Sequence, residues 1–247
     1  MIHIEKEGLS DVLKQKIIEI RKSESWKNID DKDVESIRSV FDNDFPKNDV
    51  KKVLIREQKG LCAYCMKKID IGSHSKIEHF IPLSKDKEKS IDYNNMLGVC
   101  DGGEKIASKE GHILCCDSHK REKIITISPL NKLHMEKIAY KADGTIYTSP
   151  KDEEMENDIN ETLMLNGIKK SNGVVRDTST ELLKGRRDVY ERARLMLINL
   201  DKKKKCTSRN IKKLIDELQN VKELEEFAGV KLYYFKKKYD SLVKRGL

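Results

Sequence analysis

Hydrophobic positions divide this chain into helical flanks around a middle of short strands. Ser10 reads as the N-cap of a helix running to about residue 21, with Leu13, Ile17, Ile18 and Ile20 as its apolar stripe. Val34, Ile37, Val40 and Phe41 recur at helical spacing and predict a second helix over 33–41, which Asn43-Asp44-Phe45-Pro46 interrupts. A third helix opens at Asp49, carries Val50, Val53 and Leu54 on one face, and stops at Gly60. Toward the other end, Leu182, Leu183, Val189, Tyr190, Ala193 and Leu197 form a long stripe over 180–200. A basic turn at 202–205 leads to a helix capped by Ser208 that carries Ile211, Leu214, Ile215 and Leu218. A last helix spans 232–243.

The middle has a shorter period. Residues 76–80 read as a strand leading into Pro82, 84–92 as a charged loop, and 96–99 as the return strand of a hairpin. Segment 70–75 reads as a turn, and 101–111, rich in glycine and charge, as a surface loop. Residues 117–123 suit the start of a helix. Ile125, Ile127 and 134–140 are strand-like, and Asp143-Gly144 is a hairpin-turn signal before 145–147. Acidic 150–158 reads as a linker or exposed corner. The class this predicts is α+β, mainly helical, in three segments: 1–60 helical and packed on the core, 61–150 the core with its following hairpin, and 151–247 helical again.

A chain of 247 residues can bury a core without disulfides. It opens on mixed polar and charged residues and holds no run of 18 apolar ones, so the expectation is a cytoplasmic protein with no membrane partner and with reduced thiols available to metal. Its formal charge of +8 favours a polyanionic partner. Because 42 acids offset 50 bases, such a face must be a local patch, and most lysine runs read as solvated helix surface. Aromatic residues do not interleave with basic ones as a stacking platform requires. Trp26 reads as core.

Candidate chemistry is concentrated between residues 62 and 120, where five of the six cysteines and four of the six histidines fall. Cys62 and Cys65, two residues apart, can both reach one tetrahedral Zn²⁺. Cys100 and Cys116 are the best candidates for the second pair. Cys115 and Cys116 are adjacent and point differently, so one of the two packs rather than ligates. Four thiolates close the coordination sphere, which makes the zinc structural and leaves catalysis to Glu78-His79. Strand neighbours face opposite sides, so these two serve one site only if the chain turns there, as Pro82 allows. Histidine suits a general base, and a carboxylate beside it can hold Mg²⁺ or Mn²⁺ against a phosphate oxygen. His74 reads as loop surface, and His112, at the end of the inserted loop, is a candidate to approach the site.

Cys-x-x-Cys, Glu-His-x-x-Pro, Asn-x-x-x-x-Cys and Cys-x-x-x-Lys, over about a quarter of the chain, resemble the zinc-containing HNH, or ββα-metal, endonucleases. The wording Ile77-Glu78-His79-Phe80-Ile81-Pro82, Asp92-Tyr93-Asn94-Asn95 and Cys115-Cys116-Asp117-Ser118-His119-Lys120 is most similar to the PtuB-type HNH nucleases of Septu and retron antiphage systems. The resemblance implies a zinc-stapled ββα-metal core flanked by N- and C-terminal helices. It implies His79 as the base that activates water, Glu78 as a ligand of the catalytic Mg²⁺ or Mn²⁺, and Asn95 as the group that orients the His79 ring. The family's last ligand directly follows the final zinc cysteine, where this chain has Asp117; either Asp117 or His119 fills that role. Lys76, Lys85, Lys87, Lys120, Arg121 and Lys123 surround the centre as candidate phosphate contacts. The partners implied are DNA, an ABC/SMC-like ATPase and, in retron systems, a reverse transcriptase with its RNA–DNA product. Two other readings stand beside DNA cleavage: an RNase, since water attack does not exclude RNA, and a non-catalytic zinc-stabilised nucleic-acid-binding module.

Overall fold

The computed structural model describes residues 1–72, 74–106 and 111–246, so the turn over 70–75 and the loop over 101–111 fall partly outside the described residues. Four helices open the chain: α1 (Asp11–Lys22), α2 (Glu24–Lys27), α3 (Val34–Asn43) and α4 (Lys47–Glu57). Ser10 and Asp33 cap α1 and α3, each side chain accepting the backbone N–H three residues on. The spacing does not predict α2, whose Trp26 is nevertheless core as expected. α4 starts two residues before Asp49, because Pro46 stands at its cap with φ near −75° and needs no partner for a missing N–H.

β1 (Ser75–His79) and β2 (Met96–Cys100) pair antiparallel, with His79 opposite Met96 and Ser75 opposite Cys100. The charged stretch between them is more than a loop, since Asp86 caps one helical turn, α5 (Lys87–Ser90). α6 (Asp117–Lys120) directly follows Cys116 and is shorter than predicted, ending where Arg121 takes a φ of 53°.

Two expectations for the next segment are corrected. Asn131 accepts the N–H groups of Leu133 and His134, which starts α7 (Lys132–Glu136), so only β3 (Ile138–Tyr140) of the stretch 134–140 is extended. It pairs with β4 (Ile146–Thr148) across a turn at Gly144, where φ is 91° and a Cβ would lie 2.3 Å from the Leu183 carbonyl oxygen. The corner at 150–158 is packed rather than a linker. There α8 (Glu153–Asn157) buries Met155, and the Asp158 carboxylate accepts the N–H groups of Thr126 and Ile127 at 2.6 and 2.9 Å.

A small hairpin that the pattern does not predict, β5 (Ile168–Lys169) with β6 (Val175–Arg176), precedes the C-terminal helices. These are α9 (Leu182–Lys202), α10 (Ser208–Gln219), capped by Thr207 rather than Ser208, and α11 (Ala228–Lys244), which begins four residues before Leu232.

Burial sorts the apolar residues into three clusters. The central one gathers Leu61 to Met66, the inner face of β2, β3, β4, α8 and the start of α9 around the cysteines. A second joins α1 to α4 with Leu83, Ile91, Tyr93 and Met96, so the N-terminal helices cover the outer side of the hairpin. The third lies among α9, α10 and α11. The described residues thus form a mainly helical α+β fold, and none of their helices is long and apolar enough to cross a membrane.

Candidate metal centre and adjoining cleft

Cys62, Cys65, Cys100 and Cys116 bring their sulfurs within 4.8 Å of one another, and all four are buried. Separations are 3.9 Å for Cys62–Cys116, 3.6 Å for Cys65–Cys100 and 3.7 Å for Cys100–Cys116. A tetrahedron with Zn–S arms of about 2.3 Å has edges of about 3.8 Å, which these three separations match. The local sequence explains the convergence. Cys62 and Cys65 flank a tight turn closed by Met66 N–H to Cys62 O, Cys100 ends β2, and Cys116 leads into α6.

Cys116 takes φ 56° and ψ −140°, a conformation costing a non-glycine residue about 1–3 kcal/mol. This twist sends adjacent sulfurs apart. Cys115 Sγ lies 3.4 Å from Thr180 Oγ1 and outside the ligand set. Gly102 makes the approach possible, since a Cβ there would sit 2.2 Å from the Cys115 carbonyl oxygen.

Beside this centre lies a cleft of about 430 Å³, lined by Glu78, His79 and Asp117 together with Arg38, Phe41, Glu104 and Arg121. Glu78 and His79 reach one cleft because β1 ends at His79. Glu78 is 4% exposed, and its Oε1 receives both the Lys120 ammonium at 2.7 Å and the Tyr64 hydroxyl at 3.1 Å. Burial first, then the neighbouring Asp117 carboxylate, pushes the Glu78 carboxyl well above its usual range, against the pull of Lys120. The pair therefore favours added positive charge. Hard divalent ions in phosphate sites take one or two carboxylates and complete their shell with water and phosphate, and Glu78 with Asp117 supplies that donor set. Burial, then Glu78, raises the Tyr64 phenol, which stays protonated and donates.

The His79 ring is wedged between the hairpin and the N-terminal helices, edge-on to Phe41 with centroids 4.6 Å apart. Its Nε2 lies 2.9 Å from the Ser90 carbonyl oxygen. A carbonyl only accepts, so Nε2 carries the proton and the neutral ring keeps its lone pair on Nδ1. Burial lowers the His79 pKa, against the Ser90 carbonyl and Asp117, so the neutral form holds at neutral pH.

Asn95 makes no hydrogen bond to that ring. Its amide accepts Ile81 N–H at 2.8 Å and donates to the carbonyls of Ile81 and Lys89 at 2.9 and 3.0 Å, tying the exit of β1 to the segment that presents Ser90. Asn95→Ala removes three bonds from a buried amide to half-buried backbone groups and is expected to cost about 3 kcal/mol in urea denaturation with zinc retained. A loss below about 1 kcal/mol would contradict the anchoring.

Other candidates separate. Asp117 lines the cleft, whereas His119 does not, its Nδ1 lying 3.0 Å from the Thr162 carbonyl oxygen. Lys120, expected to face phosphate, is instead wholly buried on Glu78, because a carboxylate in this interior requires a counter-charge. Lys76 is paired with Glu104 at 2.6 Å, Lys85 is exposed away from the cleft lining, and Arg121 stands exposed at the cleft. His74 is exposed beside Asp101 as expected, and His112 is not among the cleft-lining residues. Sequence reasoning missed Arg38, which only folding brings to the cleft, and Tyr64, whose one signal was its place inside Cys-x-x-Cys.

Comparison with known proteins adds no assignment: no family model matches the chain, and no curated protein matches it.

Proposed function

We propose that this chain is a metal-dependent HNH endonuclease that hydrolyses phosphodiester bonds of DNA. The observation that carries the reading is the state of His79: a neutral ring with its Nε2–H committed to the Ser90 carbonyl and a lone pair on Nδ1, in the wall of the cleft that holds Glu78 and Asp117. His79 takes the proton from water as its oxygen attacks phosphorus in line. Glu78 and Asp117 would hold Mg²⁺ or Mn²⁺, and the choice of Asp117 over His119 rests on its place in the cleft lining. A divalent ion held there would supply Lewis-acid stabilisation of the developing charge, and departure of the 3′ oxygen leaves 5′-phosphate ends. The tetrathiolate zinc has a closed shell and serves as frame.

The order β1, β2, α6 around the cysteines supports a ββα-metal core in 61–150 between helical segments 1–60 and 151–247. Arg38 and Arg121 at the cleft favour a phosphate ligand. Residues 180–247 contain 19 Lys and Arg against 10 Asp and Glu, so the whole positive excess of the chain lies in its C-terminal helices. Lys202 to Lys205 and Arg209 stand exposed where α9 passes into α10, a surface suited to a polyanion. By resemblance, the protein acts in the cytoplasm as an antiphage effector held by an ABC/SMC-like ATPase, in retron systems beside a reverse transcriptase and its RNA–DNA product.

The test offers plasmid DNA and total RNA to the protein, alone and with its ATPase partner, in Mg²⁺, Mn²⁺ or chelator. Metal-dependent nicking of DNA with 5′-phosphate ends is expected. Cleavage of RNA alone would assign it as an RNase. Intact DNA and RNA in every metal would overturn the enzyme reading and leave a zinc-stabilised binding module.

A further inference from the structure

We propose that Tyr64 and Lys120 are positioning residues that transmit the zinc frame to Glu78, holding one carboxylate oxygen so that the other is presented to a divalent cation. The proposal rests on the reading of Glu78 as a metal ligand. Both side chains ride on zinc-binding segments. Tyr64 lies between the ligands Cys62 and Cys65, and Lys120 ends α6, the helix that begins directly after the ligand Cys116. Neither has any exposed surface.

Both reach the same atom. The Tyr64 hydroxyl donates to Glu78 Oε1 at 3.1 Å and the Lys120 ammonium lies 2.7 Å from the same oxygen. Two donors on one oxygen stop rotation about the last side-chain bond and leave the lone pairs of Oε2 for a ligand. Lys120 also donates to the His79 carbonyl oxygen at 3.3 Å, so one ammonium fixes the side chain of the metal-binding candidate and the backbone of the base.

Stability alone does not account for this arrangement. A buried ion pair is often replaceable by apolar residues at no cost, because desolvation consumes most of its Coulomb energy. Partners of metal-binding carboxylates, by contrast, govern ligand orientation, and losing one typically weakens metal binding about 10–100-fold. A closed tetrathiolate zinc has no open position for substrate. Through these two side chains it still determines where the carboxylate points.

The experiment measures Mn²⁺ affinity by electron paramagnetic resonance in the absence of nucleic acid, for wild type, Tyr64→Phe, Lys120→Met and Glu78→Gln, with zinc content determined on each. Tyr64→Phe removes a single oxygen and is expected to keep its zinc and melting temperature while binding Mn²⁺ about 10–100-fold more weakly. Lys120→Met leaves the buried Glu78 carboxylate without its counter-charge, so it is expected to melt lower while keeping its zinc and binding Mn²⁺ about 10–100-fold more weakly, and it decides the matter if Tyr64→Phe loses zinc. Wild-type Mn²⁺ affinity, within about two-fold, in a variant that keeps zinc would overturn the positioning role, as would loss of zinc from both variants. Failure of the underlying reading looks different: wild type binds no Mn²⁺, or Glu78→Gln binds it as wild type does.

Discussion

Cys116→Ser is expected to strip zinc from the protein and unfold the central core with it. The cysteines lie inside that core, packed with Leu61, Leu97, Val99 and Ile127. The sheets around them are two-stranded, and a two-stranded hairpin is marginal by itself in water. A structural zinc in a small domain binds with about 10–16 kcal/mol of apparent free energy, as much as the whole stability of a typical domain, about 5–15 kcal/mol. Serine leaves three thiolates and a hydroxyl, while the strained backbone at residue 116 loses the bond that offsets its cost. One zinc per wild-type chain by metal analysis, none in Cys116→Ser or Cys62→Ser, and a collapse of near-ultraviolet circular dichroism are the expected results. Cys115→Ser should keep its zinc, because its sulfur faces Thr180. Stoichiometric zinc in Cys116→Ser would refute the tetrathiolate site.

The second large effect concerns His79→Ala, expected to lower the turnover of saturating DNA by about 10³-fold, within the 10²–10⁴ typical of a general base. Zinc content should be unchanged, since His79 belongs to the outer side of the hairpin, against Phe41. Alanine leaves the Ser90 carbonyl without its donor and the Phe41 ring without its edge contact, so a fall in melting temperature accompanies the loss. Turnover is therefore compared at a temperature where both proteins are fully folded. A rate within about ten-fold of wild type would remove His79 from the role of base.

Much of the fold was legible because its signals are local. Ser10 and Asp33 announce helices by a side chain that reaches a backbone N–H three residues away, within any reading window. Where the apolar period misleads, a short-range competitor acts: Asn131 turns an apparent strand into α7, and Pro46, which ends one helical stretch, also opens α4. At 150–158 polar composition suggests a linker or exposed corner; most of the segment is an exposed corner, but Met155 fills the core and Asp158 caps a distant backbone segment. Composition carries no information about such partners.

The sequence by itself determined the helical flanks, the 76–99 hairpin and the four thiolates that converge, since cap chemistry, apolar period and Cys-x-x-Cys spacing act over a few residues. Only the tertiary structure decided that Lys120 is buried on Glu78 rather than offered to phosphate, that Tyr64 shares that carboxylate, and that Asp117 rather than His119 lines the cleft. It also brought Arg38 and Phe41 from the N-terminal helices to His79. The reason is physical. A buried charge must find its counter-charge wherever packing places one, and here the partners are separated by tens of residues that no local period connects.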